Sequence, residues 1–215
     1  MRASALLVGL ALMVSACGSE PTPTPSVACP TEPPTSVSAQ ATLQDAAVAT
    51  VTVSGAVDGE FAFDLYGDAA PIATANFVAL ARCGFYDGIK FHRVLSGFVI
   101  QAGDPGTKTN DGDFQGLGAG GAGYEYEIEP PAVELRYDRY SVSVANDTRT
   151  NDSQFFIALA DLNGGLERLY TIFGQVTSGT DVIDAIAAVP VNDPRMGLPL
   201  DPVTIDSIVI SGAAE

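Results

Sequence analysis

Phe85-Tyr-Asp-Gly-Ile-Lys-Phe-His-Arg-Val-Leu-Ser-Gly-Phe-Val-Ile-Gln-Ala-Gly-Asp104 is the stretch on which the fold turns. Two short apolar runs flank Leu95-Ser96-Gly97, which reads as a β-hairpin. Side chains alternate along a strand, so Phe91 and Arg93 are expected on one face of the first strand and Val99 and Gln101 on one face of the second. A fixed cation and an amide then stand beside an apolar wall. On this stretch alone a second reading stays open, in which Arg93 only lays its stem along a core hairpin and reaches out to water.

The run Phe91-His-Arg-Val-x-x-Gly-Phe-x-x-Gln-x-Gly-Asp104 resembles the signature of the cyclophilins, the peptidyl-prolyl cis/trans isomerases. Downstream, Ser143-Val-Ala-Asn146 followed by Asn151-Asp-Ser-Gln-Phe-Phe-Ile157 resembles the family's other signature, in the right order and at a suitable distance. The resemblance runs from about Val48 to Ile210, through Asn76-Phe-Val-Ala-Leu80 and Tyr170-Thr-Ile-Phe-Gly174.

At 215 residues the chain has room for one domain of ordinary size with appendages. Its formal charge of -16, from 10 basic and 26 acidic residues, argues against nucleic acid, whose phosphates need clustered Lys and Arg. Such a surface also repels anionic lipid head groups, so attachment to a membrane has to be covalent or inserted.

The N-terminus offers such an attachment. Met1-Arg2 is a minimal positive start, Ala5 to Val14 is apolar but too short to span a bilayer, and small residues then lead to a cysteine. Residues 1–16 therefore read as a signal peptide. The ending Val14-Ser-Ala-Cys17 resembles the bacterial lipobox, which implies cleavage before Cys17 and acylation of that residue, palmitate being one expected chain. A soluble secreted protein cut near Cys17 is the alternative. Two or more acyl chains would hold the protein stably at a membrane, outside the cytoplasm. Residues 17–45, rich in Pro, Thr and Ser, read as an extended, solvated tether, and residues 46–215 as the isomerase domain. Of the remaining cysteines, Cys29 and Cys83 could form a bridge in an oxidising compartment, or Cys83 could be a small buried hydrophobe.

Within the domain, alternation from Val48 predicts a first hairpin with a break at Val57-Asp-Gly59. Pro71 opens a helical pattern that ends near Cys83-Gly84. A Gly-rich loop runs from Pro105 to Gly123, and loops of that length are usually functional or mobile. Tyr140–Ala145, Gln154–Ala158 and Tyr170–Val176 read as strands, Thr180–Ala187 as a second helix and Val203–Ser211 as the closing strand. This inventory suits a mainly β fold in which a closed eight-stranded antiparallel barrel is capped by two α-helices, and the family resemblance implies the same.

The chemistry is narrowed by what is missing. His92 is the only histidine, and alternation turns it away from the face of Arg93, so a Ser-His-Asp arrangement is improbable and a structural imidazole, satisfied in the barrel wall, is expected. One histidine and three scattered cysteines make no metal site, and no cofactor motif is present. Rotation about an X-Pro bond needs neither proton transfer nor a covalent intermediate. Its barrier of about 18–20 kcal/mol comes from the partial double bond of the amide, and a guanidinium aimed at the prolyl nitrogen would favour the twisted form.

Carried over residue by residue, the resemblance implies that Arg93 is that guanidinium and that Gln101 orients it. Phe98, Val99, Phe156, Leu166 and Tyr170 would wall the proline pocket, the backbone of Ala145 and Asn146 would hold the residue before proline, and Gln154 would line the adjoining groove. For Phe98 and Phe156 plain core packing remains open. The chain departs from the pattern at Val99, where many relatives have Met, and at Gly165 and Tyr170, where aromatic or histidine and histidine are common. The turn from Ala145 to Gln154 is slightly short and carries Asp147, Thr148 and Arg149 in place of the usual glycine. The implied protein is a monomer that needs no cofactor, binds proline-containing segments of exported proteins and assists their folding. A non-catalytic proline-peptide-binding or chaperone module on the same fold is the other reading.

Overall fold

The computed structural model describes residues 27–109 and 117–212. Cys17, residues 1–16 expected as a signal peptide, and the middle of the Gly-rich loop lie outside the described residues. Among the described residues three α-helices and nine strands follow in the order α1 (Ser36–Thr42), β1 (Val48–Gly55), β2 (Gly59–Leu65), α2 (Pro71–Arg82), β3 (Arg93–Leu95), β4 (Val99–Ala102), β5 (Tyr126–Glu127), β6 (Ser141–Asn146), β7 (Thr150–Ala158), β8 (Ile172–Ser178), α3 (Thr180–Ala187) and β9 (Val203–Ser211). A short 3₁₀ turn at Pro105–Lys108 follows β4.

All strands belong to one antiparallel sheet ordered β3-β4-β7-β6-β8-β2-β1-β9, with β5 beside β7. The first hairpin buries alternate residues, Ala49, Val51 and Val53 from β1 and Phe61 and Phe63 from β2. On β9 the buried set runs Val203, Ile205, Ile208 rather than every second residue. The ladder explains the skip: Thr52 pairs with Ser207 but Val53 with Ile205, so a bulge at Asp206 shifts the inward face by one position.

The expected closed eight-stranded barrel with two helices is corrected. Eight strands form a path whose ends, β3 and β9, do not pair as strands. The residues just before β3 approach β9 through a single bridge, Lys90 to Thr204, with backbone bonds from Gly88 to Ile205 and from Phe91 to Val203. The mainly β, half-barrel fold is thus open along its strand path, because the hairpin begins only at Arg93. The same delay corrects Phe91: it lies in the central core with Val94 and Ile100 and not on the face of Arg93.

The extra helix is α1, inside what composition marks as tether. Thr35 and Ser38 cap its first turn reciprocally, Ala39 is fully buried, and Arg82 of α2 donates to the Thr42 carbonyl at 3.0 Å and to Asp45 at 2.7 Å. Cys29 is bridged to Cys83 at the end of α2. From Cys29 onward the chain is therefore fastened to the domain, and only its Pro-rich composition suggests otherwise. Among the described residues no helix is long and apolar enough to cross a membrane.

Candidate active site

Strands β4, β6 and β7 carry two different faces. Ile100, Ala102, Val142, Val144, Phe155 and Ile157 point into the central core. Their neighbours in sequence, Val99, Gln101, Ala145 and Phe156, point the other way and line a depression of about 200 Å³ together with Arg93, Phe98, Asn146, Leu166 and Tyr170. Period-two alternation on a sheet buried on both faces places this pocket on the outside of the barrel wall. Nine of the ten expected polar and apolar positions meet there. The tenth, Gln154, lines the adjoining groove of about 440 Å³, which shares Gln101, Ala145 and Asn146 with the pocket.

Val99 and Phe156 are buried, while Phe98, Leu166, Tyr170 and Arg93 are half-exposed. The Phe156 and Tyr170 rings meet edge to face, 5.6 Å between centroids, which fixes one corner of the pocket. Phe98 has Arg93 over its ring at 5.9 Å. For Phe98 and Phe156, packing in the central core is excluded, since neither belongs to it.

Arg93 stands directly across the ladder from Gln101, and its Nη1 donates to Gln101 Oε1 at 3.4 Å. Gln101 Nε2 donates to Gln154 Oε1 at 2.9 Å, and Gln154 Nε2 donates to the carbonyls of Gly118 and Gly120 at 2.9 and 2.8 Å. The chain of amides thus runs from the guanidinium into the Gly-rich loop. Asp104 holds the same loop from below, its carboxylate accepting from the N–H groups of Gly106, Gly118 and Gly120. A side chain at Gly120 would collide with that carboxylate, which is why glycine stands there. No period or spacing in the sequence marks this role of Asp104, although the residue ends the hairpin signature.

His92 departs from expectation. It is buried, and neither ring nitrogen has a hydrogen-bond partner among the described residues. Both N–H groups of the nearby Gln154 amide are given to Gly118 and Gly120, so the imidazole is packed rather than satisfied. Burial lowers its pKa to about 4, with the push of Arg93 and against the pull of Asp104 and of the neighbouring Gln154 amide, which lies close to the ring but gives its N–H groups to the loop carbonyls.

The turn at the rim is built by Asp147, whose carboxylate accepts from the backbone of Arg149 and Thr150 and pairs with the Arg149 guanidinium at 2.8 Å. That pairing lowers the Asp147 pKa. Thr148 adopts φ 76° where glycine would be at ease, held by Asn146 Oδ1, which accepts from its N–H at 2.9 Å. Gly165 is exposed and outside the pocket lining.

The sequence model described as cyclophilin type peptidyl-prolyl cis-trans isomerase/CLD matches residues 48–210. The chain belongs to this family. It is 40% identical over 176 residues to a probable peptidyl-prolyl cis-trans isomerase A of Mycobacterium leprae, covering 71% of this chain and 87% of that one. It is 40% identical over 157 residues to the isomerase cyp15 of Rhizopus delemar, of whose length it spans 23%. Among solved structures, a Cryptosporidium parvum cyclophilin-type isomerase determined in the presence of the dipeptide Ala-Pro superposes with a TM-score of 0.66 at 31% identity, over 77% of this chain and 99% of that one. The cyclophilin match begins at residue 48, so α1 and Cys29 lie outside it.

Proposed function

We propose that this cyclophilin-type isomerase turns X-Pro bonds by seating the proline ring on Val99, Phe156 and Leu166 and aiming the Arg93 guanidinium at the prolyl nitrogen. The observation that carries the reading is the ladder pair of Arg93 and Gln101 in the lining of a small pocket that Phe98, Val99, Phe156 and Leu166 also wall. Planar amide resonance sets the barrier at about 18–20 kcal/mol. In the twisted state the nitrogen lone pair is localised, and a cation placed beforehand beside it stabilises that state more than either planar isomer. A partly dry pocket strengthens the interaction relative to water. Gln101 limits where the guanidinium can go, and Gln154 limits Gln101 in turn. The backbone of Ala145 and Asn146 borders both pocket and groove, which suits it to hold the residue before proline.

The substrates in this reading are proline-containing segments of exported polypeptides, and the protein works as a monomer held outside the cytoplasm by lipid on Cys17. Support for the location comes from the signal-like residues 1–16 and the lipobox-like Val14-Ser-Ala-Cys17, together with the Cys29–Cys83 bridge, which suits an oxidising compartment. The test of activity is magnetisation exchange between the cis and trans signals of an Ala-Pro peptide on addition of the domain. Exchange supports isomerisation; saturable binding without exchange would favour the peptide-binding module instead.

A further inference from the structure

Two walls of the pocket, Leu166 and Tyr170, stand on the segment between β7 and β8, which has no regular ladder to hold it. Something else must fix it. Tyr137, in the irregular stretch before β6, is 1% exposed, and its hydroxyl lies against three backbone groups of that segment. It accepts from the Tyr170 N–H at 3.2 Å and has the Tyr170 carbonyl at 2.9 Å and the Glu167 carbonyl at 3.2 Å within donating reach. The backbone of Tyr137 makes two more bonds to the same segment: its N–H donates to Asn163 Oδ1 at 3.0 Å, and its carbonyl accepts from the Leu162 N–H at 2.9 Å. Burial pushes the phenol pKa up, so the hydroxyl stays protonated and able to donate at neutral pH.

We infer that Tyr137 is a positioning residue of the proline pocket: its hydroxyl fixes the backbone of Tyr170, and through it the Tyr170 ring that closes against Phe156. This rests on the pocket being the proline site, as proposed above. A buried hydroxyl that both accepts from and donates to one residue's peptide groups sets that residue's position closely, because each bond is directional and loss of either leaves a polar group unpaired. The Tyr170–Phe156 pair, with ring centroids 5.6 Å apart, passes the constraint to the pocket floor. The wall contacts proline alike in the planar and twisted states, so loosening it should weaken binding and spare the chemical step.

The experiment compares wild type with Tyr137→Phe, which keeps the ring and removes only the hydroxyl. Affinity for an Ala-Pro peptide is read by chemical-shift titration and turnover at saturation by cis-trans exchange. The expected result is an affinity about 5- to 10-fold weaker, with turnover at saturation within about twofold of wild type. A purely structural residue would lower the unfolding midpoint and leave both numbers unchanged in the folded protein, and that outcome would overturn the inference. So would a loss confined to turnover. Should Tyr137→Phe not fold, hydrogen exchange in the wild type decides: a Tyr170 amide protected like those of β8 supports the assignment, and a freely exchanging one defeats it. Failure of the wild type to catalyse exchange at all would strike the parent reading and not this one.

Discussion

Gln101 faces Arg93 across the β3–β4 ladder, and its side chain accepts from the guanidinium while donating to Gln154. The catalytic cation in this account is therefore held by an amide that is itself held. Gln101→Leu keeps the strand and removes both bonds. Rate should fall about tenfold, on the scale of the roughly 1.5 kcal/mol that one hydrogen bond to a charged group contributes, with circular dichroism unchanged. A Gln101→Leu enzyme as fast as wild type would show that Arg93 needs no such partner.

The Cys29–Cys83 bridge closes a 54-residue separation that includes α1 and the first hairpin. Constraint of the unfolded chain over such a loop contributes about 2–4 kcal/mol. Reduction, or Cys29→Ser with Cys83→Ser, should lower stability to denaturant by that order. Peptide turnover should be unaffected, since neither cysteine lines the pocket. Intact mass with and without reductant, on protein purified from its native compartment, checks the bond.

Burial of His92 makes stability depend on pH. Its folded pKa, about 4, lies below the ordinary 6.5, so the unfolded chain binds the proton more readily. The neutral ring costs nothing above about pH 6.5, and stability falls as pH drops from there towards 4, by about 3 kcal/mol in all. His92→Gln should remove that part of the slope, measured as the difference in unfolding free energy between pH 7 and pH 4.5 for the two proteins. Parallel pH profiles would show the imidazole to be hydrated.

Much of the site was legible because it lies on strands. Alternation through β4 and β7 predicts which of Val99 to Gln101 and Gln154 to Ile157 share a face, and the ladder obeys it. What failed did so where the ladder ends: Phe91 precedes β3, so counting by twos from Arg93 put it on the wrong side. The α1 helix was hidden by a Pro- and Ser-rich composition, although Thr35-x-x-Ser38 is a weak capping signal. Tyr137 gives no signal at all, because its partners are backbone groups some 30 residues away in an irregular segment. Long-range bonds to loop backbone leave no period to read.

Acylation at Cys17 is expected to be the attachment to the membrane. Cys17→Ala should move the protein from the membrane fraction to the soluble one without altering turnover. Wild-type protein that is soluble in detergent-free fractionation, with an unmodified N-terminus, would contradict it.

Arg93→Ala bears most directly on the central claim, and the measurement is cis-trans exchange of an Ala-Pro peptide, read beside the circular dichroism of each variant. If the guanidinium stabilises the twisted state, its removal should cost about 3–4 kcal/mol, a hundred- to a thousandfold in rate, chiefly in kcat and not in peptide affinity. Arg93→Lys should restore little, since an ammonium lacks the planar fork that meets both Gln101 and the prolyl nitrogen. A well-folded Arg93→Ala protein that exchanges the peptide at the wild-type rate would contradict the account.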